Sequence, residues 1–426
     1  MAVTVSSLPP VCAVLSHPCQ FLVTMFPSSA LLSLLLVALS AVSATPVKRE
    51  AKAATLAFTA KVNASGYANI AEADRARAQS LRQGATKGKR AASISAANTA
   101  VTYTASVGVG SPATQYTLLI DTGSSNTWVG ASAKYTPTSS SKDTGNTVSV
   151  SYGSGSFSGE EYTDTVTLSS DLVIKGQSIG VASTSTGFSG VDGILGVGPV
   201  DLTSGTVSNT NTVPTVTDNL FSAGTITDDV LGIFYVPAAA SDSTGELTFG
   251  GTDSSKYTGS IGYVPLTSTS PASEYWGIDQ SITYGSTSIL SSTAGIVDTG
   301  TTLILIASDA FSKYESATGG SMDQTTGLLK ISSAQYSALS PLNFKIGGTT
   351  YALSANAQIW PRSLNTALGG DANSIYLVVS DIGTESGSGL DFINGYTFLE
   401  RFYSVFDTGN SQLGFATTSH TDDTSN

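Results

Sequence analysis

A mostly β chain built from two similar lobes is what the sequence predicts, and three observations carry that expectation. Short runs of alternating apolar and polar residues dominate, among them residues 116–120 and 147–152, each bounded by Gly, Ser, Asn or Pro; a period of two is the strand period. The 336 residues after position 90 exceed what a single core holds comfortably. The segment Leu119-Ile120-Asp121-Thr122-Gly123-Ser124-Ser125 recurs as Ile296-Val297-Asp298-Thr299-Gly300-Thr301-Thr302, 177 positions later and about half of that length away.

In chain order, the first element is a leader, residues 1–44. Residues 30–42 form a 13-residue apolar run, short of the roughly 20 that span a bilayer. It is followed by Val42-Ser43-Ala44, a small-x-small cleavage site, so it reads as a signal peptide. No Lys or Arg precedes the run, and a start at Met1 makes the leader 44 residues long. A start at Met25 makes it 20, within the common range of about 15 to 30, and residues 1–24 then read as an upstream extension.

The charge balance reverses at position 90. Residues 1–90 carry 10 of the 19 Lys and Arg but only 3 acids, net +7, which leaves 9 bases and 28 acids, net −19, for residues 91–426. The boundary is Lys89-Arg90, a dibasic pair in an Ala/Ser/Gly stretch. Residues 45–90 therefore read as a basic propeptide and the mature chain as starting near Ala91. The acidic body argues against nucleic acid and anionic membranes as partners and suits work in acid, where self-repulsion falls. No apolar tail comes after His420, so a secreted chain without an anchor is expected. The one N-x-[ST] sequon, at Asn63, falls in the basic segment.

The chain has two histidines and two cysteines: Cys12, His17 and Cys19 precede the leader's apolar run, and His420 lies near the C-terminus. A Ser-His-Asp triad, a Cys-His pair, a thiolate zinc site and a His-rich metal site all lack their residues. Aspartate, glutamate, tyrosine and hydroxyls remain, and neither a metal nor another cofactor is expected. Residues 91–265 are expected to form an N-terminal β lobe and 266–420 a C-terminal one, with 421–426 a polar tail. Helical patterns are few: residues 218–223, 308–317 behind a Ser308 N-cap, 333–339 and 397–403.

Asp-Thr-Gly occurs four times. Asp143 follows Ser141-Lys142 and reads as a polar surface turn; Asp407 follows Val405-Phe406 close to the end and reads as a strand-end turn. Asp121 and Asp298 each end an apolar strand and turn through Gly into hydroxyl residues, a setting that can hold a carboxylate at the edge of a core. As bare triplets, these two would also serve as turn caps.

The longer strings are more specific. Asp121-Thr122-Gly123-Ser124-Ser125-Asn126-Thr127-Trp128-Val129 and Val297-Asp298-Thr299-Gly300-Thr301-Thr302 resemble the two active-site motifs of pepsin-like aspartic proteases. Tyr152-Gly153-Ser154-Gly155-Ser156 resembles that family's flap hairpin, and Val191-Asp192-Gly193-Ile194-Leu195-Gly196 and Ile393-Asn394-Gly395 its hydrophobic-hydrophobic-Gly segments, with Asn394 in place of an apolar residue. The motifs run in order from about residue 101 to 416. The resemblance implies a bilobal, mostly β, pepsin-like fold with pseudo-twofold symmetry, a cleft between the lobes, and a monomeric acid endopeptidase made as a zymogen.

It further implies that Asp121 and Asp298 share a catalytic water, that Ser124 and Thr301 bond their outer oxygens, and that Gly123, Gly300 and the flap residues Tyr152, Gly153 and Ser154 line the substrate site. Tyr152 is expected to close over substrate against Trp128; taken singly, each is an ordinary strand-end or core aromatic. Several fungal relatives carry Asp where Ser154 stands and use it to accept Lys, so poor cleavage after Lys and a preference for large apolar residues are expected. Gly108-Val109-Gly110-Ser111-Pro112-Ala113 fits a dinucleotide pattern, but a strand rather than a helix follows it. A glycoside hydrolase, which also uses two carboxylates, would need neither matched turns nor a flap; a non-catalytic wall-associated binder would need neither aspartate.

Overall fold

The computed structural model describes residues 53–62, 70–83, 101–153, 155–239 and 244–426. The leader, the sequon at Asn63, Lys89-Arg90 and Ser154 lie outside these residues. Strands dominate. Val101–Val109 and Thr114–Asp121 form an antiparallel hairpin that turns at Gly110, where a φ of 95° favours glycine. The Gly-x-Gly run is thus a hairpin leading into a strand, as its sequence context implies.

Thr114–Asp121 continues into a parallel pairing with Gly193–Gly196. In the second half of the chain, Thr287–Val297 pairs in parallel with Phe392–Asn394. The sequence repeat is therefore a structural one: each Asp stands at the C-terminal end of a buried strand, flanked by a parallel neighbour. Asn394 is buried and exchanges two hydrogen bonds with the amide of Gln280, at 2.8 and 3.1 Å. That pairing is what lets an amide occupy an apolar residue's place.

Among the described residues the largest sheet has thirteen strands and draws on both halves of the chain. Phe402–Asp407 pairs with Val230–Phe234, and Gln412–Thr417 with Thr258–Pro265. A strand of the basic segment, β1 (Ala54–Val62), lies between Thr244–Phe249 and Val101–Val109, burying Phe58 against Tyr103 and Tyr235. A seven-stranded sheet carries the second motif.

The same basic segment also forms α1 (Ile70–Arg82), a helix not anticipated from the sequence. Its Ala, Arg, Gln and Leu content favours helix. Ile70, Asp74, Arg77 and Leu81, spaced 4, 3 and 4 apart, share one buried face. Of the expected helices, the observed ones are Val216–Ser222, Ser308–Thr318, Ser333–Ser337 and Tyr396–Leu399. Ser308 is not a cap: Ala307 is the N-cap residue, and the Ser308 hydroxyl donates instead to Asp381 at 2.6 Å. The last expected helix stops early because Phe402–Asp407 joins the large sheet.

The C-terminal residues fold back onto the body. Buried Arg401 donates to the His420 and Asp423 carbonyls, and Asn356 and Arg362 donate to that of Asn426. No helix among the described residues is long and apolar enough to cross a membrane.

Candidate active site

Asp121 and Asp298 are fully buried and meet across the two repeats. Their turns are locked crosswise: the Thr122 N–H donates to Thr299 Oγ1 at 2.9 Å and the Thr299 N–H to Thr122 Oγ1 at 3.0 Å. Each threonine hydroxyl in turn donates to a carbonyl of the opposite strand, that of Val297 or Ile120. The same pattern then repeats at each carboxylate. Ser124 Oγ donates to Asp121 Oδ2 at 2.5 Å and Thr301 Oγ1 to Asp298 Oδ2 at 2.6 Å, while the Gly123 and Gly300 N–H groups donate to the respective Oδ1 atoms at 3.0 Å. Both glycines are needed for space. A Cβ on Gly123 would lie 2.6 Å from Asp298 Oδ1, and one on Gly300 2.6 Å from Asp121 Oδ1.

Between the carboxylates sits the guanidinium of Arg77, from α1. One nitrogen, Nη2, donates to Asp121 Oδ1 at 2.6 Å and to Asp298 Oδ1 at 2.9 Å, while Nε donates to Asp298 Oδ2 at 2.6 Å. Burial pushes both carboxyls up. At Asp298 the charge and hydrogen bonds of Arg77, with Thr301 and Gly300, outweigh burial and hold the group below its usual value. At Asp121 burial and the Asp298 charge prevail over Arg77, Ser124 and Gly123, and the pKa is raised. Burial works against the charge of Arg77, but the two aspartates overcome it and keep the side chain a cation.

One turn earlier on α1, Asp74 accepts from the Thr302 and Leu303 N–H groups at 2.7–3.2 Å. Burial pushes its carboxyl up to about 7 against the pull of those amides and Arg77. Arg75 pairs with Asp381 and Arg82 donates to the Leu390 carbonyl.

The hairpin of Lys142–Tyr152 and Gly155–Ser169 closes over the helix. A Cβ on Gly153 would run into the Arg77 backbone, so only glycine fits there. The Trp128 indole N–H donates to the Tyr152 hydroxyl at 3.0 Å, and Trp128 stacks on Phe157 at 4.2 Å with Phe188 edge-on. The structure thus brings Asp121, Asp298, Gly123, Ser124, Gly300 and Thr301 together, with Tyr152, Gly153 and Trp128 beside them. Asp143 is not in a simple turn: it is exposed within the strand Lys142–Tyr152, paired with Tyr162 beside a bulge where it accepts from the Gly145 N–H, while Asp407 ends a strand and accepts from Asn410.

Sequence reasoning missed Thr122, Thr299, Asp74 and Arg77. The signal for the last two was present: two opposite charges on a face otherwise made of Ile70 and Leu81. Chemically, the arrangement offers two carboxylates with one point, now taken by Arg77 Nη2, within hydrogen-bonding reach of both.

Comparison with known proteins agrees with this geometry. Residues 102–418 match the family model described as eukaryotic aspartyl protease. The chain is 67% identical over 340 residues to polyporopepsin of Irpex lacteus, covering 79% of this chain and all of that protein. It is 34% identical to rhizopuspepsin-1 of Rhizopus niveus, covering 64% of this chain and 66% of that one. The crystal structure of an aspartic proteinase from Irpex lacteus superposes with a TM-score of 0.75 at 68% identity, covering 76% of this chain and 96% of that chain.

Proposed function

The chain belongs to the eukaryotic aspartyl protease family, and from that premise we propose that Asp121 and Asp298 are the catalytic pair of a secreted acid endopeptidase made as an inactive precursor. The observation that carries this reading is the single Arg77 nitrogen held 2.6 and 2.9 Å from the two carboxylates. A group at that point bonds both, and in the free enzyme a water takes its place.

Two adjacent buried carboxyls do not both ionise cheaply, so in acid the pair keeps one proton. The ionised member removes a proton from the water, whose oxygen attacks the scissile carbonyl, while the protonated member gives its proton to the carbonyl oxygen. The resulting diol collapses: the amide nitrogen takes the proton just acquired by the first carboxyl, the C–N bond breaks, and a diol hydroxyl returns its proton to the second. An acid and an amine leave, and the pair is restored with one proton. Ser124 and Thr301 fix the outer oxygens so that the inner ones face the water. Tyr152 and Gly153 close over the substrate and exclude solvent. The Trp128, Phe157 and Phe188 cluster beneath the flap supports a preference for large apolar residues. Ser154 brings no charge to accept Lys. One chain carries both carboxylates, so a monomer suffices.

The basic segment is the proposed inhibitor, with α1 filling the cleft and β1 completing the sheet. Groups at its contacts make its docking depend on pH, in opposite senses; Asp121, raised by burial and by the Asp298 charge, acts in the same sense as Asp74. Asp298 is held low in the docked state, so its contribution is present above the ordinary carboxyl value and is lost as pH falls through the lowered one. Asp74 is raised to about 7, so its contribution is full in acid and is lost as pH rises through about 7. Docking is therefore tightest between these limits, and acid release proceeds through Asp298 and the other ion pairs of the segment, such as Arg75 with Asp381. Purified precursor tests this: it stays silent on an apolar-pair peptide near neutrality, and acidification produces a pepstatin-sensitive activity with a new N-terminus near Ala91. Full activity of the uncleaved precursor near neutrality would overturn the inhibitory role.

A further inference from the structure

A cavity of about 450 Å³, walled in part by Tyr275 and Trp276, is accounted for by none of the motifs. Its walls include Leu202, Leu266, Tyr275 and Trp276, and two carboxylates, Asp201 and Glu274, line its exposed side. No Lys, Arg or His among the described residues lines it. Among the described residues, neither carboxylate takes part in an ion pair or a side-chain hydrogen bond.

Hydrogen bonds tie the cavity's wall to the strands that carry the two aspartates. The Val297 N–H, next to Asp298, donates to the Trp276 carbonyl at 3.0 Å, and the Trp276 indole donates to the Val197 carbonyl at 3.2 Å. The Val197 N–H donates in turn to the Asp121 carbonyl at 2.9 Å. The Tyr275 hydroxyl donates to the Leu81 carbonyl at 2.9 Å, about one helical turn, or roughly 6 Å, from Arg77 along α1. Tyr275 therefore borders both the cavity and the segment that occupies the cleft.

We propose that this cavity is a specificity pocket of the endopeptidase, taking the side chain of a substrate lysine or arginine about two to four residues from the scissile bond. An extended chain advances about 3.3 Å per residue, which sets that range. The methylene stem lies along Trp276, Tyr275 and Leu202, and the cationic head reaches Asp201 and Glu274. The proposal rests on the assignment of Asp121 and Asp298 as the catalytic pair.

The test uses the matured enzyme and quenched fluorescent peptides with one fixed apolar scissile pair and Lys, norleucine or Glu at each flanking position in turn. At one position Lys exceeds norleucine in kcat/KM by about three- to tenfold, the size of one or two exposed ion pairs, chiefly through KM, and Glu falls below both. That ratio drops towards one in the Asp201→Asn/Glu274→Gln double variant and in about 0.5 M salt, while thermal melting confirms that the variant is folded. Equal rates for Lys and norleucine at every position, or a preference that survives the double substitution, overturn the pocket. A parent enzyme that cleaves no norleucine peptide at all overturns the protease reading instead.

Discussion

Replacing Arg77 with alanine removes three hydrogen bonds of 2.6, 2.6 and 2.9 Å and leaves two carboxylates of zero exposure facing each other beneath a docked helix. Removing one partner of a buried ion pair costs about 3–5 kcal/mol, because the remaining charge stays desolvated. The docked state bears that cost, since undocking returns both groups to water. At about 1.4 kcal/mol per factor of ten, the ratio of docked to open precursor falls roughly 10²- to 10⁴-fold. The purified Arg77→Ala precursor, shown by mass spectrometry to be uncleaved, therefore hydrolyses an apolar-pair peptide at about pH 6 where the parent is silent. Arg77→Lys lies between the two, because an ammonium is a single point of charge and cannot fork across both carboxylates. An intact Arg77→Ala precursor that melts like the parent, becomes active after acid processing, and yet remains silent at pH 6 would refute the reasoning, since inhibition would then rest on steric cover alone.

Other substitutions probe the spacing of the pair and two buried polar groups. Gly300→Ala places a methyl 2.6 Å from Asp121 Oδ1, so kcat of the matured enzyme drops by at least about a hundredfold; near-parental turnover would contradict the spacing of the pair. Asn394→Leu strips Gln280 of both its hydrogen bonds and lowers stability by about 1–3 kcal/mol, and adding Gln280→Leu recovers much of it; a denaturant series on both variants checks this. Glu161 is 2% exposed, and burial raises its carboxyl to about 7, with only Ser178 opposing. A raised carboxyl contributes stability that is present in acid and lost as pH rises through about 7. Glu161→Gln should therefore abolish up to about 3 kcal/mol of the parent's loss between pH 5 and 8, and unchanged pH dependence in the variant would exclude Glu161 as its source.

The features legible in the sequence were local ones. Asp121 and Asp298 were recognisable because each ends an apolar run and turns through Gly into a hydroxyl residue, and the hydroxyl three positions on is the one that reaches its carboxylate. Tyr152 with Trp128 came from the resemblance to the family's flap, since singly each reads as an ordinary strand-end or core aromatic. The crosswise lock of Thr122 with Thr299 joins residues 177 apart, and the Asn394–Gln280 pair joins residues 114 apart; no periodicity encodes such partners. Ser308 has the chemistry of a cap, but Asp381 claims its hydroxyl. The composition of the basic segment is that of solvated charge, yet α1 buries Asp74 and Arg77 because their partners lie in the cleft. A tail rich in Asp, Thr and Ser looks free until Arg401, buried within the body, supplies donors for its carbonyls.

The central claim is that one water shared by Asp121 and Asp298 does the hydrolysis. The most direct measurement is kcat of the matured enzyme against Asp298→Asn, processed identically, on one apolar-pair peptide at about pH 4. The amide keeps the shape and the Thr301 contact but can neither accept the water's proton nor cycle one. The account predicts a fall of about a thousandfold or more with an unchanged melting temperature, whereas a folded variant that keeps a tenth of the parent's kcat would contradict it.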